Sequence, residues 1–245
     1  MATERMIVWQ GISALDGVTP IVVLATGVPK ASTKAVSSQN TKTGDMIQTW
    51  ILRADVAPHT ALKEGKDQAI CGTCPHRGKA SGGSGACYVN VGQGPRSLWV
   101  AHNSKGSIPF DLERFRGHKV RFGAYGDPAA VPFEVWESIA SVASGVTGYT
   151  HQWRTADTRF ARYCMASADT ADEGREARKL GYRNFIVRPV GSAKPRGAVV
   201  CPASEEAGKR VTCADCLQCG GTDNGRKADI TIMAHGATKN AFKPA

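Results

Sequence analysis

The spacing of the cysteines constrains this chain more than any other feature. Eight are present, and seven of them fall into two groups. The first is Cys71-Gly-Thr-Cys74-Pro-His-Arg77, joined after a Gly/Ser loop by Cys87. The second is Cys201 followed by Cys213-Ala-Asp-Cys216-Leu-Gln-Cys219. A C-x2-C turn makes a poor structural disulfide and a good chelate, because both sulfurs point into one concavity lined by amides. Three thiolates on one tight loop with a distant fourth is how a chain wraps a four-iron cluster. Four thiolates equally make a closed tetrahedral zinc site. Both metals stand open on spacing alone. The first group has only three cysteines, so its fourth position falls to His76, to a substrate or cofactor, or to Cys201. In the last case Cys213, Cys216 and Cys219 become a set of three. Cys164, between Tyr163 and Met165, reads as a small core residue.

At 245 residues, 42% of them hydrophobic, the chain can bury a substantial core. It contains no apolar run of about 18 residues, so no membrane-spanning helix is expected. The opening Met1-Ala-Thr-Glu-Arg5 lacks the basic-then-apolar pattern of a secretory signal, which predicts a cytoplasmic protein. Thiols are kept reduced there, and the cysteines then call for a metal rather than for disulfides. Lys and Arg number 31 against 21 Asp and Glu, giving a formal net charge of +10. Positive charge of that size concentrates polyanions, so a nucleic acid or nucleotide is an expected partner. The basic stretch Arg114, Arg116, Lys119 and Arg121 is the candidate contact surface, with a solvated basic face as the structural alternative. Trp50, Trp99, Trp136 and Trp153 offer either base stacking or core packing.

The chain divides into a β-rich segment over 1–67 and a β/α core over 68–245. Ile21–Leu24 and Asp45–Arg53 read as strands, and 29–44 as a polar loop or hairpin arm. Beyond 68, strands are expected over 119–125, 147–153, 162–167, 184–188, 198–201 and 230–234. Helices are expected over about 95–104 and 132–144, and again after Thr170, whose capping box with Glu173 marks a helix start. Strands alternating with helices imply parallel pairing. The predicted fold is therefore α/β, a full or partial β/α barrel with an N-terminal β-rich extension and a C-terminal cysteine-rich metal-binding loop. In parallel β/α folds the carboxyl ends of the strands form the site. Four titratable residues fall at those ends and are the acid–base candidates: Asp127, His151, Asp169 and His235. Asp169 alternatively caps the helix that follows it.

Cys71-x2-Cys74-Pro, Cys87-Tyr88, Gly126-Asp127-Pro128, Tyr149-Thr150 and the later Cys201 and C-x2-C-x2-C resemble uncharacterised proteins encoded by bacteriophages, from about residue 40 onward. For a phage protein the cytoplasm would be that of the host. More distantly, a cysteine loop after the first strand of a β/α barrel is similar to the radical S-adenosylmethionine enzymes. That resemblance implies a 4Fe–4S cluster on Cys71, Cys74 and Cys87 with one iron free for S-adenosylmethionine, and an auxiliary cluster on Cys201, Cys213, Cys216 and Cys219. The spacing here is C-x2-C-x12-C where that family uses C-x3-C-x2-C, and Gly123–Asp127 is only a loose counterpart of its glycine-rich strand. Two functions follow: an iron–sulfur enzyme acting on a nucleotide or nucleic acid, and a zinc-stabilised protein that binds nucleic acid or a partner without catalysis. A cysteine nucleophile paired with His76 or His151 has no local signature. The Gly82–Ala86 loop lacks the Lys-Ser/Thr of a phosphate-binding loop and reads as slack between ligands.

Overall fold

The computed structural model describes residues 4–30 and 40–242. Most of the 29–44 arm thus lies outside the described residues, as does the start of the chain. Three antiparallel strands come first: β1 (Met6–Ile12), β2 (Pro20–Thr26) and β3 (Met46–Arg53). β2 is buried along almost its whole length, as its unbroken run Ile21-Val-Val-Leu-Ala25 demands. Next come α1 (Pro58–Lys63), α2 (Gln68–Cys71) and α3 (Gly94–Lys105), which flank the cysteine loop. β4 (Lys119–Tyr125) then pairs parallel to β3, and β5 (Gly145–Thr147) parallel to β4 after the amphipathic α4 (Phe133–Val142). The N-terminal strands and the first β/α unit therefore share one five-stranded sheet in the order β1-β2-β3-β4-β5.

A second sheet is parallel throughout. It contains β6 (Tyr149–Thr150), β7 (Met165–Ala168), β8 (Asn184–Arg188), β9 (Val199–Val200) and β10 (Ile230–Met233), in the order β6-β7-β8-β10-β9. α5 (Ala171–Lys179) links β7 to β8, and the single turn α6 (Cys213–Cys216) lies in the crossover from β9 to β10. The α/β class with parallel strands is as expected, but the barrel is not closed: among the described residues no ladder joins β1 to β9. Nor is the second cysteine group a terminal appendage, since β10 follows it and inserts between β8 and β9.

The two sheets meet at Gly148, the residue between β5 and β6. Its N–H donates to the Cys219 carbonyl at 3.1 Å, and its own carbonyl accepts from Met165 N at 2.9 Å. A Cβ here would lie 2.7 Å from Cys164 Sγ, so only glycine lets the strand pass over that sulfur. Cys164 is fully buried, in keeping with a core role. Trp136 and Trp153 are also core, their indole N–H groups bonded to the Pro128 and Ser167 carbonyls. Trp50 and Trp99 are half-buried with their N–H groups bonded internally, so none of the four is a free stacking platform.

Candidate metal centre

The carboxyl ends of β4, β6, β7, β8, β9 and β10 face one cavity of about 210 Å³. A single water needs roughly 10–15 Å³, so this space admits a group far larger than one ion. All seven grouped cysteines line it, and Cys164 does not.

Cys71 closes α2, and the chain turns there because Gly72 adopts φ 54. A side chain at Gly72 would overlap Gln152, which donates to the Cys71 carbonyl. Cys74 follows on a turn (Cys74 N to Cys71 O, 3.1 Å), and the loop folds back so that Cys87 N meets the His76 carbonyl at 2.9 Å. Backbone N–H groups of His76 and Val89 are aimed at the Cys74 and Cys87 sulfurs. The second group is built differently. Thr212 and Asp215 form a reciprocal capping box on α6, and Leu217 in the left-handed region turns the chain back toward Cys219. Cys213 N and Ala214 N donate to the carbonyls of Lys42 and Thr43 at 2.9 and 3.0 Å, docking the turn on the 40–45 loop. Cys201 enters from β9, its N–H on the Thr231 carbonyl. It packs with Cys213 and Cys219, and the charges that bear on it are those of Lys42, Cys213 and Cys216. Cys201 thus lies beside the second group of cysteines.

Burial pushes the thiols of Cys71, Cys74, Cys87, Cys201, Cys213 and Cys219 up, since a thiolate loses its hydration inside the protein. Cys71 is raised further by Cys74 and Cys87, and Cys219, flanked by Cys201, Cys213 and Cys216, is pushed up to about 12. A metal ion reverses this, because it deprotonates a coordinating thiol outright. All eight cysteines are free thiols, so no disulfide competes for them.

His76, His151 and Asp169 converge beside the first group, with ligand atoms all within 4.8 Å of one another. His76 Nε2 is 2.9 Å from Asp169 Oδ1, and His151 Nε2 is 3.9 Å from Asp169 Oδ2 and 3.9 Å from Cys74 Sγ. Burial lowers His151 to about 4, only partly opposed by Asp169, so its ring is neutral at pH 7. Asp127 also lines the cavity, but both of its oxygens are occupied: Oδ1 accepts from Ala129 N and Oδ2 from His151 N. Its role is to place His151. Across the cavity His235 stacks on Tyr88 at 5.2 Å and meets Lys42 Nζ at 3.1 Å. Phe242 stacks on His76 at 5.0 Å, and Thr238 donates to the Cys87 carbonyl, so the last described residues close one side.

The basic stretch does not form a single face. Arg114 pairs with Glu4 and Arg116 with Glu113, while Arg121 enters the cavity and donates to Tyr88 Oη. Arg154, Arg159, Arg162, Arg175, Arg178 and Arg188 are likewise each paired with a carboxylate. Composition hides this, because it counts charges without showing which are neutralised. Sequence reading missed Lys42, Tyr149 and Phe242 as cavity residues; Lys42 lies in a polar loop and carries no local signal. A scan of protein-family models gives no match, and searches of curated proteins and of solved structures return no similar chain. No helix among the described residues is long and apolar enough to cross a membrane.

Proposed function

We propose that the chain is an iron–sulfur enzyme with two thiolate sites on one substrate cavity. One observation carries this reading: seven cysteines from distant stretches of sequence arrive at the same cavity in groups of three and four. Cys201, Cys213, Cys216 and Cys219 would hold a closed four-thiolate cluster. Cys71, Cys74 and Cys87 would hold a second, with one iron left for an exogenous ligand, and such clusters supply one-electron chemistry.

S-adenosylmethionine is the cofactor we assign to the three-thiolate end, on its resemblance to the radical enzymes named above. The substrate is a small molecule rather than a nucleic-acid duplex, because the arginines that would track a phosphate backbone are paired. Lys42 and Arg121 are the cavity cations available to its anionic group, so a nucleotide fits this class.

The test is metal and acid-labile sulfide analysis, with an absorption spectrum, on protein purified without oxygen. Iron with matching sulfide and broad visible absorption upholds the proposal. Colourless protein with stoichiometric zinc overturns it in favour of a zinc-built binding protein. Equilibrium dialysis with S-adenosylmethionine, on the wild type and on Cys71→Ser, then tests the open iron.

A further inference from the structure

Asp169 is the residue whose surroundings call for a ligand. Its side chain is 2% exposed, yet among the described residues it meets no lysine, no arginine and no backbone N–H. Its partners are two imidazoles. Three other buried carboxylates each take at least one backbone or amide N–H: Asp127 accepts from two backbone amides, Asp229 takes Asn184 and Arg178, and Asp67 accepts from Gly78 N. A buried carboxylate without a counter-charge is strongly destabilising. The ordinary explanation, helix capping, does not apply. Thr170 caps α5 by accepting from Glu173 N, and the Glu173 side chain reaches back to Asp169 N at 2.8 Å. The Asp169 carboxylate is thus left over by the capping it was expected to perform.

Three segments bring the group together. β6 and β7 are parallel neighbours, with Tyr149 opposite Met165 and Thr150 opposite Ala166, so His151 and Asp169 leave adjacent strands at the same end of the sheet. His76 arrives from the cysteine loop. The His151 backbone N–H donates to Asp127 Oδ2 (2.8 Å), which anchors the main chain that carries the imidazole. Two imidazoles and one carboxylate form a donor set for a divalent transition metal, and three protein ligands leave coordination positions free.

We infer that His76, His151 and Asp169 bind one divalent transition-metal ion, separate from the thiolate groups and beside the three-thiol end of the cavity. The ion supplies a fixed positive charge where Asp169 meets no lysine and no arginine, and presents open positions to whatever occupies the cavity. This goes beyond the cluster proposal and stands or falls apart from it.

The experiment is a cobalt(II) titration of the full chain, purified without oxygen and treated with chelator, with iron and sulfide measured on the same samples. The expected result is one equivalent whose visible bands lack thiolate-to-cobalt charge transfer. That equivalent should be lost in Asp169→Asn and His151→Gln. Removing an outer-shell partner typically weakens metal binding roughly 10–100-fold, so loss of a direct ligand should exceed that. Pulsed electron paramagnetic resonance of the cobalt-loaded wild type should show two imidazole nitrogens, which needs no variant to fold. Equal stoichiometry in Asp169→Asn, thiolate charge transfer only, or fewer than two nitrogens would overturn the assignment and leave a His76–Asp169 ion pair. Iron lost with cobalt retained would instead sink the cluster reading alone.

Discussion

The two ends of the cavity carry the same ligand type in opposite electrostatic settings. Around Cys71, Cys74 and Cys87 the charged neighbours are acidic: Asp67 and Asp127 act on Cys71, Asp127 and Asp169 on Cys74, and Asp67 on Cys87. Each adds to the upward push of burial. Around the second group the neighbours are basic. Lys42 opposes burial at Cys201, and Arg121 and Lys42 oppose it at Cys213. A field that favours cations belongs with a site that takes up additional metal charge. Under the two-cluster proposal, a field that favours anions suits the end with four thiolates, and the contrast would put reaction at the first end and electron storage or structure at the second.

The sharpest way to break this contrast is to remove one ligand at each end. Cys71→Ser and Cys213→Ser should each lose the metal of one end and keep that of the other, so each variant retains about half of the wild-type iron in this two-site scheme. If either substitution empties both ends, the two groups form one assembly and the comparison fails.

Next in size is the junction that ties the ends together. Gly148→Ala places a methyl against Cys164 Sγ, and overpacking of this kind costs about 1–3 kcal/mol. The same segment carries the N–H that holds the Cys219 carbonyl, so the second site should loosen before the first. Denaturant unfolding of Gly148→Ala should show the loss, and adding Cys164→Ala should recover most of it. No recovery would mean that the clash is not the cause.

A pH effect should belong to the first end. His151 is lowered from 6.5 to about 4, chiefly by burial. The unfolded chain therefore binds the proton that the folded one refuses, and stability falls as pH drops through that window. At 1.36 kcal/mol per pKa unit, metal-free protein should lose about 2 kcal/mol between pH 7 and pH 5 on this account. His151→Gln should flatten the profile in urea titrations at the two pH values, and an unchanged slope would place the titrating group elsewhere.

The smallest effect should come from the cations. Lys42→Met and Arg121→Met remove positive charge near Cys213 without removing a ligand. A reduced cluster carries one more negative charge, so its reduction potential should fall in both variants. The first site should be unmoved. Equal shifts at both sites, read in a redox titration, would erase the distinction drawn here.

Much of this was legible without coordinates. Thr170 announced α5, and the apolar runs over 184–188 and 230–233 their strands, because capping and burial act over a few neighbouring residues. The seven cavity cysteines were legible for the same reason: chelating spacing is local. So were His151 and His235, which lie just past strand ends. Other expectations failed where distant partners decide. The stretch 162–167 was read as one strand, but a 3-10 turn over Thr158–Arg162 takes its first residue and β7 begins only at Met165. The basic stretch forms no single face because the distant Glu4 pairs with Arg114, the neighbouring Glu113 pairs with Arg116, and Arg121 turns into the cavity.

What the amino-acid sequence determined by itself is the inventory of grouped cysteines, the parallel β/α grammar and the strand ends that line the cavity. Tertiary structure alone decided that Cys201 lies beside the second group, that Asp169 faces two imidazoles instead of capping α5, and that Lys42 and Arg121 flank one set of thiols and not the other. The reason is physical. Spacing sets which atoms can reach one another along a turn, whereas charge, desolvation and coordination act through space, among residues that only the sheet order brings within a few ångströms.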